Sequence, residues 1–211
     1  RVKVKAAYGR YHQTPLAEDL SAVFGNPLLT AARADHFLAG ALLRLTETLS
    51  VETTAFYTTS TDLAARSASP APLLAEALEQ TGSGRSFGAQ ILARKEIGAG
   101  LFGWVSYSLL RSERRDREGA PFRLFDFDQT HVLTALASYR IGAGFEVGAR
   151  ARVATGFPRT PVRGAYYDAR TDTFVPVLGP RSSIRIPAFF ALDLRVSKRF
   201  TFGSSELEIY L

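Results

Sequence analysis

Ser86, inside Gly84-Arg85-Ser86-Phe87-Gly88, is the side chain of this sequence most readily read as a nucleophile. The spacing G-x-S-x-G is that of a nucleophile elbow, where two glycines let a strand turn sharply into a helix with the serine oxygen exposed. Asp116, Asp126 or Asp128, followed by His131, completes the order Ser, Asp, His, so a serine hydrolase using Ser86 and His131 is one alternative. The surroundings argue against it. An elbow needs a strand before the serine and a helix after it, whereas alternating strand-like residues follow Ser86, and Gly84 and Gly88 then simply ease the chain into a strand.

Asp126, Asp128 and His131 also offer hard oxygen donors beside an imidazole. His12, His36 and His131 are the only histidines and stand far apart, so a junction between loop and strand is the plainer account. The glycines from Gly82 to Gly88 run G-x-G-x-x-x-G, which is not a phosphate-binding fingerprint, and no βαβ pattern surrounds them. The residues therefore point to no catalytic group, no metal ligand and no cofactor. The expectation is a protein that is not an enzyme.

A different chemistry is offered by the stretch Phe157 to Ser183, which is rich in Gly, Pro, Tyr and Arg. Arg159, Arg163, Tyr166, Tyr167 and Arg170 could hold an anionic or aromatic ligand, or could pack against one another in a loop. Charges also recur at alternate positions elsewhere: Arg150, Arg152, Asp193, Arg195 and Glu208. These are expected on one polar face, Arg152 with Asp193 and Arg195 with Glu208 forming cross-strand ladders.

The elements that position these residues are strands. From Ala191, Leu192, Leu194 and Val196 project one way while Asp193, Arg195 and Ser197 project the other. Phe145, Val147, Ala149, Ala151 and Val153 repeat the pattern against Glu146, Gly148, Arg150 and Arg152. Comparable alternation marks residues 2–11, 36–46, 51–57, 86–94, 101–110, 129–140 and 205–211, which with the two above predicts about nine antiparallel strands. Trp104 has no clear face. Short turns alternate with long excursions near residues 12–34, 61–83, 111–128 and 157–184, which puts every long excursion at one end. Short helices are expected after Thr14-Pro15 and after Ser69-Pro70. Arg111 to Glu118 mixes signs and reads as a solvated loop.

The chain has 211 residues, 46% of them hydrophobic, which excludes disorder throughout. Its net charge of +6 is spread over strands and loops and forms no single stripe, so nucleic acid is not expected as a partner. Cysteine is absent, which suits an oxidising compartment. No run of 18 apolar residues exists, excluding a transmembrane helix but not a transmembrane barrel, whose strands need only about 10 residues each. The sequence has no methionine and no signal peptide, so a fragment is expected. Nine strands leave the two ends on opposite sides, and at least one further strand is expected after Leu211. A self-contained outer-membrane barrel, a pore or adhesin, is the other alternative.

Six phrases resemble the C-terminal part of the barrel of a TonB-dependent outer-membrane receptor. They are G-N-P-L-L at Gly25 to Leu29, G-S-G-R-S-F-G at Gly82 to Gly88, W-V-S-Y-S at Trp104 to Ser108, D-F-D-Q-T-H at Asp126 to His131, A-T-G-F-P-R-T-P at Ala154 to Pro161, and the run Arg185 to Phe200. The resemblance implies that residues 1–211 are part of a large barrel whose plug domain and final strand or strands lie outside this sequence. It further implies location in the outer membrane of a Gram-negative bacterium and uptake of a scarce small-molecule ligand such as an iron chelate, cobalamin or a glycan. The implied partners are membrane lipid, the remainder of the barrel and its plug, and the TonB complex that supplies energy.

Overall fold

A computed structural model describes residues 1–69, 72–98 and 100–211. Its strands are β1 (Val2–Gln13), β2 (Ala32–Arg44), β3 (Leu49–Arg66), β4 (Leu78–Gly98), β5 (Leu101–Arg115), β6 (Arg123–Leu124), β7 (His131–Gly142), β8 (Phe145–Ala154), β9 (Pro158–Arg159), β10 (Val162–Asp168), β11 (Thr173–Leu178), β12 (Ile184–Arg185), β13 (Phe189–Phe202) and β14 (Ser205–Tyr210). Nine of them form one antiparallel sheet in the order β1-β2-β3-β4-β5-β7-β8-β13-β14, with β6 paired to β5. The fold is thus the all-β, antiparallel sheet of about nine strands that the alternation predicts. The connections at 44–49, 98–101, 142–145 and 202–205 are short, those at 13–32, 66–78, 115–131 and 154–189 long, and strict antiparallel order places all four long ones at one end.

The register fixes which side chains share a face. Leu192, Leu194 and Val196 lie opposite Ala151, Ala149 and Val147, while Asp193 lies opposite Arg150. Followed across the sheet, the apolar set includes Ala137, Val105, Ala93, Val51, Leu43 and Val2. Nothing covers it: Val4 is 81% and Leu194 70% exposed. Among the described residues only Leu29, Ala65 and Ala154 are buried apolar side chains, so this sheet has no hydrophobic core of its own. A sheet that leaves such a band bare is built for an apolar solvent, not for water.

Several expectations change. Among the described residues there is no helix. The stretch after Thr14-Pro15 makes turns, its isolated i to i−4 bonds Leu20 N to Leu16 O and Gly25 N to Ser21 O never propagating, because so short a segment does not repay helix nucleation. Pro70 and Ala71, at the expected start of the second helix, and Ala99 in the expected turn lie outside the described residues. Strands β3 and β4 run 18 and 21 residues, far beyond the predicted 51–57 and 86–94. Past Tyr57 and Phe87 polar residues stand on both faces, so alternation stops while the ladder continues. Arg111 to Arg115 belong to β5 and not to a solvated loop; Glu113 there is only 5% exposed. Trp104 takes the polar face, opposite Leu136 and Arg94. The fourth excursion holds a hairpin, β10 with β11, which pairs with no strand of the wall.

Candidate functional site

The third and fourth long connections meet at one end of the sheet around a carboxylate that solvent does not reach. Asp128, with 0% exposure, follows β6 and precedes β7. Its Oδ1 accepts from the Ser112 backbone N–H at 2.7 Å and its Oδ2 from the Thr130 hydroxyl at 2.9 Å. Arg185 of β12 donates from Nη2 to the same Oδ2 at 2.5 Å and to the Thr130 hydroxyl oxygen at 2.8 Å. Its Nη1 donates to the Asp128 carbonyl at 3.1 Å and to the Gly156 carbonyl at 2.9 Å. A buried carboxylate is stable only when its oxygens are occupied, and here backbone, hydroxyl and guanidinium occupy them. Gly156 admits this approach because a Cβ there would sit 1.8 Å from the Ile186 carbonyl oxygen.

Around this clasp lies a second ring of polar contacts. The buried Ser182 hydroxyl donates to Asp126 at 2.7 Å, Arg123 meets Asp116 at 2.9 Å, and Arg181 reaches Asp116 at 3.4 Å and Asp126 at 3.6 Å. Beside them opens a cleft of about 350 Å³ lined by Asp126, Phe127, Phe157, Arg159, Thr160 and Arg181. Phe127 and Phe157 meet edge to face at 6.1 Å. Rings, guanidinium groups and a hydroxyl around an open cleft suit a ligand that is flat, anionic or both. On β5, Glu113 pairs with Arg111 of the same strand and with Arg85 of β4, at 2.6 Å each.

The residues first read as possible ligand contacts are scattered. Arg159 lines the cleft. Arg163 sits at a bulge of the β10–β11 hairpin, and Tyr166 is 57% exposed opposite Val175. Tyr167 donates its phenol to Asp172 at 2.6 Å, which raises its pKa, and packs on Phe174 at 5.5 Å; Arg170 pairs with Asp168 at 3.4 Å. Tyr167 and Arg170 are therefore engaged by their own hairpin.

On the wall below, Arg195 meets Glu208 at 3.0 Å. Asp193 stands opposite Arg150, not Arg152, which lies opposite Ala191; the register displaces that expected pair by two residues. The possible hydrolase residues never meet. Ser86 and its partner Ser112, at 2.8 Å, take the polar face, whereas His131, opposite Leu109, takes the apolar face and bonds Tyr107 at 2.8 Å. The glycine of the apparent elbow serves packing: a Cβ on Gly88 would stand 2.1 Å from the Leu109 carbonyl oxygen and 2.9 Å from the Phe56 ring. Asp128 turns to Arg185 and His131 to Tyr107, so Asp126, Asp128 and His131 share no centre.

Reading the sequence missed Arg185, Arg181 and Ser182. The signal lay in Asp126 to Thr130, two acids, an amide and a hydroxyl crowded between two strands. Their partner stands 57 residues away and only the topology joins them.

The comparisons with known proteins agree with this architecture. The family model described as TonB dependent receptor-like, beta-barrel matches residues 1–211. No curated protein matches the chain. Among solved structures, the ferric-catecholate import receptor Fiu of Escherichia coli K12 superposes with a TM-score of 0.65 at 15% identity, covering 95% of this chain and 27% of Fiu. The ferripyoverdine receptor of the outer membrane of Pseudomonas aeruginosa gives 0.64 at 16%, covering 95% and 25%. The FrpB iron transporter of Neisseria meningitidis gives 0.62 at 17%, covering 93% and 30%. The chain thus spans less than a third of each of these proteins and shares their fold at low identity. Its nine-stranded sheet, with all its long connections at one end, belongs to the β-barrel of the TonB-dependent receptor family.

Proposed function

We propose that this chain is part of the barrel wall and mouth of an outer-membrane receptor that takes up an iron chelate with energy supplied through TonB. The observation that carries the reading is the two-faced sheet. One face is an uncovered apolar band and the other bears Arg150, Arg152, Asp193, Arg195 and Glu208, as a wall between lipid and a polar lumen requires. An uncompensated arginine at the midplane of the lipid side costs about 2 to 4 kcal/mol, so this sorting supports a bilayer over a sandwich. Recognition then falls to the mouth, where the cleft between Phe127, Phe157, Arg159 and Arg181 faces arriving ligand and the β10–β11 hairpin stands beside it.

The iron chelate is favoured over cobalamin or a glycan because a ferric chelate presents anionic oxygens on aromatic or hydroxamate frames, which guanidinium groups and ring edges recognise. The structural relatives named above handle ferric catecholate, ferripyoverdine and iron, which supports the same choice. Uptake of a panel of radiolabelled ferric chelates by cells carrying the intact receptor, with and without residues 160–180, tests it. Loss of uptake with the barrel still assembled is expected. Unchanged uptake rejects this connection as the recognition element, and accumulation of cobalamin or glycan instead of iron rejects the ligand class.

A further inference from the structure

The apolar face ends, on four neighbouring strands, in a row of rings. Tyr8 lies opposite Phe37, Phe37 opposite Tyr57 and Tyr57 opposite Phe87, with centroids 5.1 Å apart for the first pair and 6.4 Å for the last. Two residues further toward the mouth, the same face turns ionic. The register places Arg10 opposite Asp35, and Arg85 opposite Glu113, with Arg33 beside the first pair and Arg111 and Arg115 flanking the second. A step of two strand residues is about 6 to 7 Å, so this charged row stands just above the ring row.

The carboxylates of the row lie underneath and the cations on top. The Asp35 side chain is 13% exposed and that of Glu113 6%, against 52% for Arg10, 40% for Arg85 and 55% for Arg111. Arg10 donates through Nε to Asp35 at 2.8 Å, where the Tyr8 phenol also donates at 2.7 Å. Arg85 and Arg111 donate through Nε to the two oxygens of Glu113 at 2.7 and 2.6 Å. The Phe122 ring lies 4.3 Å from the Arg85 guanidinium and 5.0 Å from that of Arg115. Each carboxylate is thus occupied by guanidinium partners whose own side chains stay 40 to 55% exposed. Arg10, Arg33, Arg85, Arg111 and Arg115 stand against Asp35 and Glu113, an excess of three positive charges. The opposite edge of the same face carries Lys95 and Lys198 and, among the described residues, no arginine.

Rings of this kind sit at the level of lipid headgroups, and an arginine fork matches the oxygens of a phosphate in shape and charge. We propose that this outward guanidinium row binds the phosphate of an anionic lipid in the leaflet facing the mouth, so that the receptor carries a lipid site on its outer wall. The proposal rests on the membrane placement given above, and insertion is scored separately in its test.

The intact receptor is reconstituted in phosphatidylcholine nanodiscs doped with phosphatidic acid or, in a parallel arm, diacylglycerol, and lipid retained after delipidation is counted by native mass spectrometry. The variant R85Q/R111Q/E113Q removes the buried carboxylate together with its partners. It should lose about tenfold in phosphatidic acid retention, the loss of one charge-assisted contact or two, with diacylglycerol retention unchanged. R10Q/R115Q, which leaves Glu113 paired, carries the same expectation should the first variant not assemble. Retention of phosphatidic acid equal to the parent's in an inserted variant overturns the lipid site alone, as does equal loss of both lipids or displacement by inorganic phosphate. A receptor that does not insert overturns the membrane placement as well.

Discussion

Strands β8 and β13 build two regions that obey different physics. Where they run side by side, from Val153 opposite Phe190 to Glu146 opposite Ser197, eight consecutive residue pairs repeat one motif, apolar outward and polar inward. Where they are joined, from 154 to 189, nothing repeats, and order depends on single groups such as Asp128 and Arg185. The wall spreads its stability over a ladder in which no pair is indispensable. The mouth concentrates it in a few buried polar atoms, each of which is expensive to leave alone. One region therefore tolerates change of type within a pattern, and the other tolerates change anywhere except at its centre.

The sharpest way to break the contrast is at Asp128. Asp128→Ala strands Arg185 and the Ser112 N–H and should cost the mouth about 3 to 5 kcal/mol, the range for removing one partner of a buried ion pair. Limited proteolysis of the intact receptor should then cut within 157–183, while heat-modifiable migration on gels shows the barrel still formed; a mouth as resistant as the parent's would show that the clasp is not what holds it. Next in size is the wall. Val147→Arg puts a cation on the apolar face and should cost about 2 to 4 kcal/mol of assembly, whereas Arg152→Ala, on the polar face, should assemble as the parent does. Equal outer-membrane yields of the two would reverse the facing. The smallest effect lies at the hairpin tip. Because the bond to Asp172 raises the Tyr167 pKa, that bond persists through the ordinary tyrosine range and is lost only as pH climbs through the raised value. Spectrophotometric titration should therefore show a late tyrosinate that Tyr167→Phe removes.

The same contrast explains what was legible in the sequence. Strand number, order and facing can be read wherever one face is apolar, because the pleat then shows as a period of two, from Val2 to Ile209. Legibility ends at Tyr57 and Phe87, beyond which β3 and β4 continue with polar residues on both faces and the period of two is lost. At the mouth the controlling pairs, Asp128 with Arg185 and Ser182 with Asp126, are separated by 57 and 56 residues and are joined only once the strands between them are placed. Gly84 to Gly88 shows the converse: a local motif with a chemical meaning of its own is emptied of it when β4 and β7 send Ser86 and His131 to opposite faces.

The two-residue ladder of β9 with β12, Ile184 opposite Arg159 and Arg185 opposite Pro158, closes the base of the fourth connection immediately beside the clasp. Seen as a mechanical joint, it takes the load next after the Arg181 and Ser182 contacts when a large particle pulls on the β10–β11 hairpin. Force applied there peels that short ladder one bond at a time and then reaches Arg185, whose four hydrogen bonds to Asp128, Thr130 and Gly156 must be stretched together. Beyond Arg185 the pull arrives along the axis of β13, where the ladder to β8 resists in shear over all its rungs at once. The joint is therefore a fuse: a tug strong enough to free the hairpin spends itself at the mouth before it can open the wall.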